Sequence, residues 1–229
     1  MTDPLPSLVV FLRPSAAADS LAGGLSEASR RLSERFPQAL ARTAVDAGLL
    51  DQTDHAAETA AGPGFRAVLH SRFPGEASVP TGVGLVIDES FGPELDRAAS
   101  AAVVGTEHVI VPGDHPLLLA MSLRRLSSLS SPDFLEHWST VHAELGRRVP
   151  GSQGYRQLRP DPAASQRVSA EAGVGVADLD GVALAYFTDE AAMFGILGNP
   201  DVAGPLLEDE RTFIDHSASG IVCGWPPTG

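Results

Sequence analysis

The sequence predicts an α+β fold in which the order strand, helix, strand, strand, helix, strand occurs twice along the chain. Short apolar runs rich in branched and aromatic residues alternate with stretches whose apolar residues recur every three or four positions. These patterns are typical of strands and helices respectively. The chain has 229 residues, which is enough for two units of about 110 residues, each able to bury a core.

In the first half, one helix has a clear pattern, because Leu21, Leu25, Ala28 and Leu32 are spaced three or four residues apart. Pro37 follows and ends this helix. The predicted elements are, in order, strand 7–12, helix 20–36, strand 39–46, an irregular loop at 51–64, strands 65–73 and 82–88, helix 93–103 and strand 107–111.

In the second half, Ser131 and Pro132 mark the start of a helix, since serine is a good N-cap and proline suits the first helical position. The predicted elements are strand 117–126, helix 131–149, strand 154–158, a loop at 160–178, strand 181–187, helices 189–197 and 200–214, and strand 219–225.

The repeated order is that of a ferredoxin-like unit, and it divides the chain into units 1–114 and 115–229. A local match supports a duplication, because Gly82-Val-Gly-Leu-Val-Ile is close to Gly181-Val-Ala-Leu-Ala-Tyr. The alternative is one large α+β sheet without repeat symmetry. Two ferredoxin-like sheets can cover their exposed faces by packing against each other, and the space between them is the expected ligand cavity.

Composition excludes several classes of protein. The net charge of −13 disfavours nucleic acid and anionic membranes as partners. With Cys223 as the only cysteine, an intrachain disulfide cannot form, and its apolar surroundings suggest a buried residue. There is no apolar run long enough for a transmembrane helix. The N-terminus lacks the pattern of a signal peptide, so a cytoplasmic location is expected.

The helix at 131–149 contains the strongest functional signal. At about 100° per residue, one apolar stripe is predicted to contain Phe134, Trp138, Val141, Leu145 and Val149. His142 falls at one edge of the stripe, about 80° from Phe134, where it could transfer protons or be a hydrogen-bonded core residue. His137, at the other edge beside Glu136, is expected on the surface. Their spacing of five does not suit chelation of one metal ion, so no metal site is predicted.

Residues 117–225 resemble the EthD family. The resemblance rests on Ser131-Pro-Asp-Phe134, His137-Trp138, Val141-His142, Pro150-Gly151, Asp180-Gly-Val-Ala and Asp209-Glu-x-x-Phe213-Ile-Asp215. One departure is His142-Ala-Glu-Leu, where the family often has His-Gly-Pro-Leu. The resemblance implies a dimeric α/β barrel, formed here within a single chain, whose N-terminal half is a degenerate repeat without the helix histidine.

The resemblance also implies a cavity for a hydrophobic, aromatic or polyketide-type small molecule. His142 would act as general base or acid in a cofactor-independent lyase, dehydratase or monooxygenase reaction. Tyr155 would donate a hydrogen bond to an oxyanion, provided that it and not its neighbour faces the cavity. Asp215 would orient His142 or form a turn. The remaining candidates, expected to contact the molecule, are Phe134, Trp138 and Tyr186.

Two alternatives remain open at the level of sequence. The first is a non-catalytic carrier or accessory protein of a degradation pathway. The second is a haem-binding relative, since similar barrels bind haem and a histidine can ligate iron. A homodimer of the fused chains is a further expectation.

Overall fold

The computed structural model describes residues 3–16, 20–50, 62–176 and 178–227, and in it eight antiparallel strands close into a barrel. The barrel strands are β1 (Leu5–Leu12), β2 (Leu40–Asp46), β3 (Ala67–Arg72), β4 (Ala101–Val111), β5 (Leu117–Leu123), β6 (Tyr155–Pro160), β8 (Gly181–Phe187) and β9 (Gly220–Trp225). A short strand, β7 (Gly175–Val176), pairs in parallel with the start of β4. Most of the loop expected at 51–64 lies outside the described residues.

Helices cover the outside of the barrel. They are α1 (Ala22–Arg35), α2 (Val83–Ser90), α3, α4 (Pro162–Ala172), α5 (Glu190–Leu197) and α6 (Pro200–Glu210). Helix α3 has three consecutive segments, namely an α-helical Ser131–His137, a π-helical Trp138–His142 and an α-helical Ala143–Arg148. A 3-10 turn, His216–Ala218, precedes β9. No helix in the described part of the chain is long and apolar enough to cross a membrane.

The two halves of the barrel have the same internal strand order. In the first half the order is β4-β1-β3-β2, and in the second it is β9-β5-β8-β6. The first strand of each half therefore lies between the third and fourth strands of that half, not counting β7, which is the order of a ferredoxin-like sheet. The halves join where β2 pairs with β9 and where β4 pairs with β6.

A glycine lies in each of these two seams. A Cβ atom on Gly105 of β4 would be 2.0 Å from the carbonyl oxygen of Arg159, and one on Gly224 of β9 would be 1.7 Å from that of Val45. Real Cβ atoms do not approach a backbone this closely, so both seams require a residue without a side chain. Glycine inside a strand commonly marks such a close approach between backbones.

Three predicted elements are wrong, and tertiary contacts explain two of them. The segment 82–88, predicted as a strand, forms α2. The Glu171 carboxylate accepts hydrogen bonds from the N–H groups of Gly82 and Gly84 at the start of this helix, at 3.2 and 3.1 Å. This is an N-cap supplied from far along the sequence. Most of 160–178, predicted as a loop, forms the capping helix α4, which begins at the N-cap Asp161.

The third wrong element is the helix predicted at 93–103. Turns occupy this segment until β4 begins at Ala101, and β4 is longer than the predicted strand 107–111. Its extra residues pair with β1, as in the register of Val103 with Val9. The first half thus keeps the expected order of strand, helix, strand, strand, helix, strand, but with α2 as its second helix.

Side chains fill the space between the two half-sheets, where the sequence led us to expect a ligand cavity. Inward-facing residues of the strands form one buried apolar cluster there. It consists of Val9, Phe11, Ala44, Phe65, Val68, Ala101, Val103, Leu118, Ala120, Leu158, Val182, Leu184, Tyr186 and Val222. The first half also has a filled layer between its sheet and helices α1, α2 and α4, which includes Leu25, Leu32, Phe73 and Phe91.

A buried polar network interrupts this apolar interior. Glu107 accepts hydrogen bonds from Ser7 at 3.0 Å and from Arg156 at 3.1 Å, and lies 2.6 Å from His70 Nε2. The Tyr186 hydroxyl is 2.9 Å from His70 Nδ1. Burial would raise the pKa of Glu107, but His70 and then Arg156 outweigh burial and lower it to about 2. Each pKa unit corresponds to about 1.4 kcal/mol, so ionised Glu107 stabilises the fold.

We expect Glu107→Gln to reduce the free energy of unfolding at pH 7 by roughly 3 kcal/mol, because it leaves buried donors and a guanidinium without their anion. A carboxylate with a lowered pKa stabilises the fold above its unfolded pKa of about 4.5. This contribution is lost as the pH falls towards 2. Urea unfolding at pH 7 and at pH 3 should therefore show a smaller difference between variant and wild type at pH 3.

Glu27→Gln is the matched control for this prediction. Glu27 pairs with Arg30 and Arg31 on the exposed face of α1, and such surface pairs contribute little. We expect its unfolding midpoint to stay close to that of the wild type. An equal loss in the two variants would contradict a special role for the buried carboxylate.

Candidate functional site

A cavity of about 120 Å³ lies under α3, α5 and α6, against the outer face of the C-terminal half-sheet. Residues of the sheet strands β5, β6, β8 and β9 line it. Most of its wall is apolar. The lining residues are Leu50, Leu119, Met121, His142, Gly146, Val149, Ser152, Gly154, Tyr155, Ala183, Ala185, Phe187, Ile196, Leu197, Leu206, Glu210 and Ile221. This volume is comparable to a cavity of about 150 Å³ that holds a benzene ring.

The alternation of β8 determines which of its side chains reach the cavity. Ala183, Ala185 and Phe187 face outward and line it. Tyr186 faces the barrel interior, where its hydroxyl pairs with His70. The expected contact between Tyr186 and a ligand in this cavity is therefore not present, because successive side chains of a strand point to opposite faces.

The π-helical turn at 138–142 orients His142 towards the cavity. The Ala143 N–H donates to the carbonyl of Trp138, five residues earlier, so one extra residue is accommodated in this turn. The extra residue moves the following side chains about 100° around the helix relative to a regular wheel. As a result Val141, predicted in the apolar stripe, is 49% exposed, whereas His142 is 6% exposed.

The carboxylate of Asp209 contacts the His142 ring at Nδ1. His142 Nδ1 is 2.9 Å from Asp209 Oδ2, and the other oxygen of Asp209 is 2.9 Å from His137 Nε2. Burial would raise the pKa of Asp209, but the hydrogen bonds from His142 and then His137 lower it. An ionised carboxylate only accepts hydrogen bonds, so Nδ1 is the donor and Nε2 of the neutral ring is the basic atom.

This geometry decides between two alternatives for Asp215 and overturns the expectation for His137. The carboxylate that orients His142 is Asp209. Asp215 takes the second role left open for it, because it accepts a hydrogen bond from Ser217 and starts the 3-10 turn. His137 is not a free surface residue, since its side chain is only 29% exposed and contacts Asp209. The ring of Phe213 packs against it and against His142, with centroids 4.7 and 5.2 Å away.

Glu210 is the residue that sequence reasoning missed. It lines the cavity, and its Oε1 is 3.9 Å from His142 Nε2, while its Oε2 is 3.1 Å from His216 Nε2. The only sequence signal for it was the Asp209-Glu210 pair in the family motif. Because neighbouring helical residues point in directions about 100° apart, the two carboxylates reach different atoms of His142.

Tyr155 faces the cavity, and its neighbour Arg156 points into the barrel. The Tyr155 hydroxyl oxygen accepts hydrogen bonds from Trp138 Nε1 at 3.2 Å and from Gln157 Nε2 at 3.1 Å. With two donors on its oxygen, the phenol has its own hydrogen left to donate. Burial raises the pKa of Tyr155, which keeps that hydrogen in place at neutral pH.

Phe134 and Trp138 lie behind the cavity and do not line it. Both are fully buried, with ring centroids 5.6 Å apart. Trp138 instead positions the site, because its indole N–H fixes Tyr155 and its carbonyl accepts from Gln157 Nε2 at 2.8 Å. Among the described residues, no group of three or more histidine, cysteine, aspartate or glutamate side chains is arranged to hold a metal ion.

Solved structures with very low sequence identity share this fold. A dye-decolorizing peroxidase of Bacteroides thetaiotaomicron has a TM-score of 0.55 at 10% identity, covering 98% of this chain and 94% of that chain. A chlorite dismutase variant of Candidatus Nitrospira defluvii has a TM-score of 0.54 at 8% identity, covering 98% and 91%. A protein of Fusobacterium nucleatum provisionally assigned as a monooxygenase has a TM-score of 0.52 at 9% identity, covering 98% and 93%.

These likenesses establish an α/β-barrel fold and nothing further about chemistry. No curated protein matches the chain in sequence. The sequence model of the EthD domain matches residues 126–217, a segment that includes the whole of α3, Tyr155 and the Asp209-Glu210 pair. The resemblance noted from the helix motif is thereby confirmed, and residues 126–217 form an EthD domain.

Proposed function

We propose that the EthD domain binds a small hydrophobic molecule in the cavity under α3 and transfers a proton on it through His142. One observation supports this above the others. His142 lines a mostly apolar cavity, and Asp209 holds its Nδ1, which leaves Nε2 as the basic atom. A histidine oriented by a carboxylate and next to a substrate is a common general base or acid. Tyr155 would donate a hydrogen bond to the oxygen on which charge develops.

The reaction class that fits these groups begins with proton removal. Lyase or dehydratase chemistry needs a base and a donor to an oxyanion, which His142 and Tyr155 would supply. A cofactor-free monooxygenase would use the same first step before oxygen enters. The size of the cavity, about 120 Å³, favours a substrate of one or two rings.

We expect His142→Gln to lower kcat/KM about 100-fold for the base-triggered ring opening of 5-nitrobenzisoxazole, a neutral probe of this size. The base takes the C–H proton, the electrons of that bond form the nitrile, and the N–O bond breaks to leave a coloured phenolate. Initial rates at pH 7 measure the loss. A variant that binds the probe and opens it as fast as wild type would contradict the proposal and favour a non-catalytic carrier.

Asp209→Asn and Asp215→Asn test which carboxylate orients His142. We expect the Asp209 variant to lower kcat/KM for the same probe about 30-fold, since an amide can hold the ring in the wrong tautomer. The Asp215 variant should stay within about twofold of wild type, because its side chain contacts Ser217. The reverse order of effects would favour the other alternative left open by the sequence, in which Asp215 orients His142.

We expect Ala185→Leu to raise KM for the probe at least about tenfold, because the added atoms occupy cavity space rather than packed core. Ala191→Leu, on the exposed face of α5, adds the same atoms outside the cavity and serves as the matched control. Saturation kinetics and thermal unfolding of both variants provide the measurement. Unchanged KM in the Ala185 variant would place the probe elsewhere.

The residues around His142 do not fit the haem alternative. A porphyrin is much larger than a ring that fits a cavity of about this volume. We therefore assign no step to haem.

We also propose that the chain is a tandem duplication, with units 1–114 and 115–229. Two facts support it: the shared strand order of the halves, and the glycines at both seams, Gly105 and Gly224, in corresponding strands. The first unit would supply the partner half-sheet, while only the second keeps a cavity with a histidine.

A further inference from the structure

We propose that Glu210 is a second proton-transfer group in the cavity, paired with His142, so that the site can remove a proton from one atom of a neutral substrate and return it to another. This inference rests on the proposed function of His142 and adds the other half of the chemistry. The expected substrates are molecules that isomerise or undergo elimination by proton transfer, such as small cyclic carbonyl compounds with an acidic C–H bond.

The arrangement of the two groups supports the pairing. One atom of each group is held by a partner: Asp209 lies 2.9 Å from His142 Nδ1, and His216 Nε2 lies 3.1 Å from Glu210 Oε2. The other atoms, His142 Nε2 and Glu210 Oε1, are 3.9 Å apart. This exceeds hydrogen-bond length, yet both atoms can reach one substrate hydrogen or its neighbour. Both side chains are at least nine-tenths buried and border the same apolar wall.

The pair can complete a cycle with a single shared proton. Whichever group lacks the proton takes one from the substrate C–H bond, and the electrons of that bond form a new double bond. The carbonyl oxygen accepts a hydrogen bond from Tyr155 while charge develops there. The other group then donates its proton to a second substrate atom. Passing the proton back across the 3.9 Å gap restores the starting state, with no external oxidant or reductant.

A pH–rate profile can distinguish the two groups, because a carboxylate and an imidazole are different kinds of acid and ionise at different pH. The titratable groups near Glu210 include His142 of α3, His216 of the 3-10 turn, Tyr155 of β6 and Asp209 of its own helix. A pH–rate profile of each single variant with 5-nitrobenzisoxazole therefore reports the group that remains.

We expect Glu210→Gln to lower kcat/KM about tenfold and to leave a profile with one rise in the imidazole range. His142→Gln should keep a residual rate above buffer, with a rise in the carboxylate range. The double variant should fall to the buffer rate. Glu208→Gln, exposed on the same helix, is the matched control and should behave as wild type.

The outcomes separate this inference from the proposed function. If Glu210→Gln leaves both the rate and the profile of wild type unchanged, Glu210 is not a proton-transfer group, whereas His142 stands. If His142→Gln leaves the rate unchanged, the proposed function itself fails. Should the Glu210→Gln variant unfold, a second test compares His142→Gln with the double variant His142→Gln/His216→Gln. Removing His216, the partner of Glu210 Oε2, should shift the pH at which the residual rate rises. A rise at the same pH in both variants would overturn the pairing.

Discussion

Closure of the barrel is the constraint on which the rest of this structure depends. Each half-sheet has two edges, and a sheet edge with unpaired backbone groups is unstable in water unless it is covered. Here β2 pairs with β9 and β4 with β6, so each half completes the edges of the other. Since the seams bring backbones together at Gly105 and Gly224, the two halves cannot separate without exposing both edges and the shared interior.

Closure also determines where a ligand can bind. The inward faces of both half-sheets are used to fill the barrel, and the buried network around Glu107 lies among them. The cavity that contains His142 therefore lies on an outer face, under the helices. In the second half, the small side chains of Ala183 and Ala185 leave space beneath α3. In the first half, large residues such as Phe73 and Phe91 fill the layer under the helices.

The sequence predicted most of the fold because the patterns that determine it are local. Apolar runs located nearly every strand, apolar spacing and Pro37 located α1, and Ser131-Pro132 located the start of α3. The segment 82–88 could not be predicted this way, since an apolar run of seven residues suits either a strand or a buried helix. What makes it a helix is Glu171, about ninety residues later in the chain, at its N-terminus.

The candidate site was predictable in part for the same reason. The motif on α3 identified His142, and the family resemblance identified Tyr155 on β6; both border the cavity. A regular helical wheel predicts Val141 in the buried stripe and His142 at its edge. The π-helical turn, which the wheel does not represent, exposes Val141 and buries His142. Tyr186 was expected at the ligand because no sequence pattern indicates that the cavity lies outside the barrel; its side chain points into the barrel interior.

The choice between Asp209 and Asp215 shows why a motif identifies a site better than it identifies a mechanism. Both aspartates belong to the same short motif, and their spacing alone does not say which one reaches the histidine. The helix α6 ends at Glu210, so Asp209 and Glu210 still follow helical directions and project towards α3. Asp215 comes after this end and is held at the 3-10 turn. Because α6 ends at Glu210, two carboxylates lie beside His142: Asp209 at Nδ1 and Glu210 near Nε2.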